Sequence, residues 1–308
     1  MEFGKVESLG GVDWALAPDP PLTGHVLGGL PDRTDVTCFI GSTAWGQRGF
    51  NGTVYPAGTK PADQLAAYGR QFNAIELNAS FYRVPDRAQA LKWYAAVPDD
   101  FRFCPKVHKA ISQAADLGIA TSRALDFAKA VQHFEHKLGP CFLQLPGDFT
   151  TDRRAALEAW LDAWPPHLRL AVELRHESWF ATEAGADAFA SLAARGVGSV
   201  ITDVAGRRDA AHMNVTAPFT LLRWVGNVDA SDEARLRSWA RRILEWARRG
   251  VGEVYAFTHQ PQEVPSAESA AAFARALHAA APPEFRVRTR APRLAGVPSA
   301  RPAQGELF

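Results

Sequence analysis

The run LAVELRHESW, residues 170–179, begins as apolar side chains fit for a core and ends with an acid, a guanidinium and an imidazole: Glu173, Arg175 and His176. A buried charge is costly unless it is paired, hydrogen-bonded or used. Other apolar runs of the chain end in the same manner, on Trp45, on Glu76 with Asn78, on Lys106, on Gln144, on Asp203, on Arg223 and on His259. The chemistry on offer is of two kinds. Lys106, Arg175 and Arg223 suit a clamp for phosphate or carboxylate, with the two guanidinium groups offering paired donors. Glu76 or Glu173 suits a general base and His176 or His259 an acid, provided both reach one substrate atom. The same residues also admit a purely structural reading, in which Glu76, Glu173 and Asp203 neutralise Lys106, Arg175 and Arg223.

The elements that must position these groups follow from periodicity. Short apolar runs stand at 37–45, 74–81, 101–106, 141–146, 168–176, 198–203, 219–226 and 253–260, and between most of them lie segments with Leu, Phe, Ala or Trp at three- and four-residue steps. Gly139, Gly196 and Gly250 close several helical segments, as a helix end before a strand favours. Strands alternating with helices imply a parallel sheet with helices outside. Eight such units predict a closed (β/α)8 barrel of the TIM type, whose strand C-termini converge on one face. Within each strand Glu76 shares parity with Asn78, and Glu173 with Arg175, so each pair points to one side. An open doubly wound sheet is the competing arrangement, but no GxGxxG follows the first strand.

The barrel is expected over residues 36–282. Residues 1–35, rich in Gly, Pro and Asp, read as a flexible arm, and residues 283–308 as a basic, Pro-rich tail. The stretch 205–217 reads as a mobile loop near the mouth. With 34 basic and 33 acidic residues the formal net charge is +1, which by itself neither calls for nucleic acid nor excludes it. Three cysteines, Cys38, Cys104 and Cys141, lie in apolar runs without CxxC spacing. They read as small buried hydrophobes of a reducing compartment rather than a disulfide framework or a zinc site. No apolar run reaches membrane-spanning length and the first residues do not resemble a signal peptide, so a cytoplasmic protein without membrane contact is expected. Mixed carboxylates and imidazoles also match what a divalent metal accepts, but three nearby cations oppose a dication. The expectation is therefore no cofactor, with a divalent metal as the alternative.

Several motifs together resemble the YecE-like family, domain of unknown function 72. They are Tyr55-Pro56, FNAIELNASFYRVP (72–85), FRFCPK (101–106), LGPCFLQLPGDF (138–149), AVELRHESW (171–179), Thr202-Asp203 and VTAPFTLLRWVG (215–226). The resemblance covers about residues 38–280 and implies a TIM-type barrel with no established reaction. Its shared polar positions would fall on Glu76, Asn78, Tyr82, Lys106, Gln144, Glu173, Arg175, His176, Asp203 and Arg223. Many members carry His-Gly after the seventh-strand arginine and Phe-Asn-Asn at the end of the eighth strand. Here RWVGN and FTHQ stand instead, which places His259 where an asparagine would be.

Combined, these readings assign Glu76, Glu173, His176 and Asp203 to catalysis. They assign Trp45, Asn78, Tyr82, Lys106, Gln144, Arg175, Arg223 and His259 to substrate binding. The expected function is an acid–base enzyme acting on an anionic substrate, phosphorylated or derived from nucleic acid. The chain's last five residues, QGELF, suggest an alternative. They resemble the pentapeptide with which bacterial DNA polymerases and repair proteins dock on the sliding clamp. Leu307 and Phe308 would fill an apolar pocket and Gln304 would bond at its rim, making the chain a non-catalytic adaptor.

Overall fold

The computed structural model describes residues 3–290 and 292–294. Each of the eight apolar runs forms a strand: β1 (Asp35–Gly41), β2 (Ala74–Leu77), β3 (Arg102–Pro105), β4 (Cys141–Gln144), β5 (Leu170–Glu173), β6 (Gly198–Asp203), β7 (Phe219–Val225) and β8 (Glu253–His259). A ninth, β9 (Arg286–Arg288), comes from the stretch expected to be tail. The α-helices are α1 (Pro21–Gly28), α2 (Gln64–Gln71), α3 (Ala79–Tyr82), α4 (Arg87–Ala96), α5 (Lys109–Ser112) and α6 (Arg123–Val131). They continue with α7 (Arg154–Ala163), α8 (Glu183–Ala194), α9 (Ser231–Arg248) and α10 (Glu263–Ala280). All strand pairs are parallel.

The closed eight-stranded ring expected from the sequence does not form. The ladders divide into a seven-stranded sheet, in the order β4-β5-β6-β7-β8-β1-β9, and a separate two-stranded sheet, β2-β3. Two local causes account for the break beside β1. First, β9 occupies the free edge of β1, pairing Asp35, Val36 and Thr37 with Arg286, Val287 and Arg288. Second, the remainder of that edge is bonded mostly by side chains. The Asn73 carboxamide accepts from the Ile40 N–H (2.7 Å) and donates to the Cys38 carbonyl (3.0 Å), as a neighbouring strand's backbone would. The Tyr68 hydroxyl accepts from the Ser42 N–H (2.8 Å) and donates to the Ala74 carbonyl (2.9 Å). One backbone bond, Glu76 N–H to the Ser42 carbonyl (3.1 Å), completes this seam. A Cβ at Gly41 would overlap the Ala74 carbonyl, so only glycine permits the approach. Between β3 and β4 the contact is reduced to single bridges, Phe103 with Leu138 and Lys106 with Phe142.

Both sheets nevertheless face one apolar cluster. It includes Phe39, Ala74, Cys104, Phe142, Val200, Leu221, Tyr255 and Phe257. A larger cluster between strands and helices is rich in aromatics, among them Phe103, Phe134, Trp160, Trp179 and Trp239. All three cysteines are free and buried. Among the described residues no helix is long and apolar enough to cross a membrane.

The ends of the chain also depart from expectation. Of residues 1–35, read as a loose arm, residues 3–35 include α1 and pack on the body. The buried Thr23 hydroxyl donates to the Met213 carbonyl (2.7 Å) and accepts from the Val215 N–H (2.8 Å). Asp19 accepts from Arg242 (2.9 Å) and from the Trp246 indole (3.1 Å). The stretch 205–217 is largely packed as well, with Ala210, Ala211, Met213 and Val215 buried. In the expected tail, Phe285 is buried and β9 is paired. Gln304, Leu307 and Phe308 lie outside the described residues.

Tyr68→Phe removes the acceptor of a buried backbone N–H at the seam. It is expected to destabilise the fold by about 1–3 kcal/mol, read from urea denaturation. An unchanged midpoint would show that the hydroxyl does not hold β1 to β2.

Candidate active site

The strand pattern places the polar residues. Phe39, Ala74, Cys104, Phe142, Ala171, Val200, Leu221 and Phe257 all belong to the inner cluster. Two residues further along each strand lie Gly41, Glu76, Lys106, Gln144, Glu173, Thr202, Arg223 and His259. Since side chains alternate with a period of two, these positions share the inner face and lie at its C-terminal end. The apolar cluster is thus a floor, and a layer of polar groups stands on it.

Arg223 is the centre of that layer. Its Nε and Nη2 donate to the two oxygens of Glu76 (2.9 and 3.0 Å), and its Nη1 donates to both oxygens of Glu173 (3.1 and 3.0 Å). Glu173 also accepts from Arg175 Nε (2.8 Å), Gln144 Nε2 (2.7 Å) and the Thr202 hydroxyl (3.2 Å). Glu76 accepts from Asn78 Nδ2 (2.9 Å) and lies 3.1 Å from His259 Nε2. Lys106 Nζ donates to Gln144 Oε1 (2.6 Å) and sits 4.1 Å over the Phe81 ring. A single hydrogen-bonded network therefore joins Glu76, Asn78, Lys106, Gln144, Glu173, Arg175, Arg223 and His259.

The network fixes the charge states. Burial opposes ionisation of both glutamates, but the facing cations overcome it. Arg223 holds Glu76 well below the ordinary carboxylate range. Arg175 and Arg223 hold Glu173 down at about 2. Arg223 is pushed upward: burial works against its charge, and the two carboxylates outweigh that effect. Lys106 moves the other way, to about 8, because burial and the neighbouring Arg223 disfavour its ammonium. The glutamates are consequently held as anions serving Arg223, while the Lys106 ammonium is destabilised.

Above this layer opens a cavity of about 700 Å³. Its lining includes Asn78, Tyr82, Lys106, Gln144, Arg175, Arg223 and His259. Tyr82, 67% exposed, stands at the rim. Three residues of the expected set lie elsewhere. Asp203 has the opposite parity from Thr202 and turns outward, where it is bonded by Arg208, Arg235 (3.1 Å) and the Trp239 indole (2.7 Å). His176 caps the short turn Glu177–Trp179, its Nδ1 accepting from the Ser178 N–H (3.1 Å). Trp45 packs edge-on against Trp93, with ring centroids 5.2 Å apart. Other lining residues were not singled out by sequence: Thr43, Asn227 and Gln260 just past strand ends, and Phe3 and Lys5 from the N-terminal segment. The first three extend runs already recognised as strands, whereas nothing in the sequence marks Phe3 or Lys5. Among the described residues no group of three or more His, Cys, Asp or Glu is arranged to hold a metal ion. Glu76 and Glu173 turn their oxygens onto Arg223, which places a cation where a metal would need to sit.

Comparison with known proteins agrees with the motifs. Residues 39–293 match the family described as protein of unknown function DUF72, and the chain belongs to that family. It is similar to the UPF0759 protein YecE of Escherichia coli K12, 31% identical over 217 residues, covering 64% of this chain and 79% of that protein. It is also similar to the UPF0759 protein YunF of Bacillus subtilis, 27% identical over 149 residues, covering 46% of this chain and 52% of that protein. The fold is shared with a DUF72 family protein of Thermotoga maritima, with a TM-score of 0.63, 22% identity, and coverage of 79% of this chain and 99% of that one. A DUF72 family protein of Enterococcus faecalis aligns with a TM-score of 0.60 and 18% identity over 80% of this chain and 99% of that one.

Arg223→Met leaves two buried carboxylates facing one another without their shared cation. A loss of about 3–5 kcal/mol is expected in chemical denaturation. A variant as stable as the parent would mean that the bridge does not secure the polar layer.

Proposed function

We propose that the chain is an acid–base enzyme whose cavity holds a small anionic substrate bearing a phosphate or a carboxylate. The observation that carries this reading is the charge around the cavity. Lys5, Lys106, Arg175 and Arg223 line it, while the adjoining carboxylates Glu76 and Glu173 are both engaged by arginine. Among the described residues, four cations against two carboxylates favour a ligand with about two negative charges, and a volume of about 700 Å³ suits a metabolite-sized molecule.

The bonding pattern distributes the roles differently from the sequence reading. Glu76 and Glu173, held ionised and saturated with donors, are poor proton-transfer groups; they orient Arg223, Arg175 and His259 instead. Lys106 is the acid: with a pKa of about 8 its ammonium predominates about ten to one at pH 7, yet it can release a proton without a large penalty. His259 is the base, its ring oriented by the Glu76 carboxylate that lies 3.1 Å from Nε2. Asn78 and Gln144 line the cavity beside these groups and offer hydrogen bonds to neutral parts of the substrate.

The pH dependence has a definite sign. Lys106 is a cation below about pH 8 and neutral above it, so anion binding should be retained at pH 6–7 and decline as pH rises through that value. Calorimetric titration with inorganic phosphate and a panel of phosphate monoesters, from pH 6 to pH 10, reads this directly. Lys106→Ala should remove the decline around pH 8, leaving only the ligand's own ionisation near pH 6–7, and weaken binding about tenfold or more at pH 7. Equal affinity in parent and variant at every pH would exclude the assigned role.

A further inference from the structure

The cavity is completed by residues that precede the stretch matching the family, 39–293. Phe3, Gly4 and Lys5 all line it. They reach it because the segment is fastened to the connection after β6. The Gly206 N–H donates to the Gly4 carbonyl (2.9 Å), and Gly4 lies so close to Val204 that a Cβ would overlap its methyl groups. Gly4 also has a φ of +71°, a conformation that glycine adopts without strain. The Phe3 ring lies under two guanidinium groups, 4.6 Å from Arg175 and 5.1 Å from Arg207. Further along, Trp14 stacks against Arg208 and Arg235 at 5.1 and 4.0 Å, and the Asp13 carbonyl accepts from Arg208 (3.0 Å). Residues 3–14 thus run along the 203–211 connection as a strap held by arginine–aromatic contacts.

We propose that this strap is part of the substrate site and that Lys5 is a specificity-determining contact for the substrate's anionic group. The inference rests on the anion-binding reading above and adds a residue and a segment to it. Lys5 is exposed and lines the same cavity as Lys106 and Arg175. An ammonium there can meet the outer oxygens of an anion whose inner oxygens face Lys106. Phe3 serves as a positioning residue: its ring supports the Arg175 guanidinium that also bonds Glu173. A ligand with two anionic groups, or one doubly charged group, gains most from this additional cation.

The test uses the full chain and inorganic pyrophosphate as probe. Calorimetry compares the parent with Lys5→Ala, Lys5→Arg and Phe3→Ala, with Lys60→Ala as an exposed control outside the cavity. Lys5→Ala is expected to weaken pyrophosphate about tenfold with an unchanged melting temperature, Lys5→Arg to restore most of the affinity, and Phe3→Ala to weaken it in the same direction. If the parent binds pyrophosphate and Lys5→Ala binds it equally well, the role of the strap is refuted while the anion-binding reading stands. A parent chain that binds neither pyrophosphate nor phosphate refutes both. Weakening by Lys60→Ala equal to that by Lys5→Ala would reduce the effect to general surface charge and overturn the assignment.

Discussion

One guanidinium decides how the polar end of this protein is built. Arg223 divides its donors between Glu76 and Glu173, which come from strands in different sheets. No continuous ladder joins those sheets around the whole circuit, so the Glu76–Arg223–Glu173 bridge does by ionic contact what main-chain pairing does elsewhere. It has a cost, since three charges are withdrawn from water. The cost is offset because Arg223 offers donors to all four carboxylate oxygens, and Asn78, Gln144, Thr202 and Arg175 supply further bonds. Removing Arg223 would leave two buried carboxylates without the cation they share.

That bridge also sets what remains available for chemistry. With both glutamates committed, the proton-transfer roles proposed above fall to Lys106 and His259, and each is placed by a neighbour of the bridge. Gln144 links Glu173 to Lys106, and Glu76 holds His259. The structural and functional readings of the charged cluster, which compete when only the sequence is considered, become two layers of one arrangement. The carboxylates and Arg223 are the support, and Lys106, Arg175 and His259 are what the support presents to the cavity.

Much of this was legible in the chain. The eight apolar runs lie where strands form, and the period of two correctly groups Glu76 with Asn78 and Glu173 with Arg175. The same period applied to Thr202-Asp203 turns Asp203 away from the site, toward Trp239 and Arg235; its charge alone had suggested otherwise. The break in the ring was not legible. It depends on β9, whose brief alternation in Arg286–Arg288 is submerged in a basic, Pro-rich stretch, and on Asn73 and Tyr68, whose side chains replace backbone pairing. No local rule predicts that a carboxamide will act as a strand. The packed N-terminal segment was hidden for a similar reason, because its Phe3 and Trp14 are held by distant arginines rather than by any periodic face.

The proposed chemistry requires Lys106 to exchange its proton at about pH 8 in a cavity lined also by Lys5, Arg175 and Arg223. Reductive methylation with ¹³C-labelled formaldehyde, followed by NMR titration and assigned with a Lys106→Arg variant, measures that proton equilibrium at a single amine. A midpoint near 8 is expected, well below that of an exposed lysine, moving upward when phosphate is added. A midpoint at the ordinary lysine value, indifferent to phosphate, would contradict it.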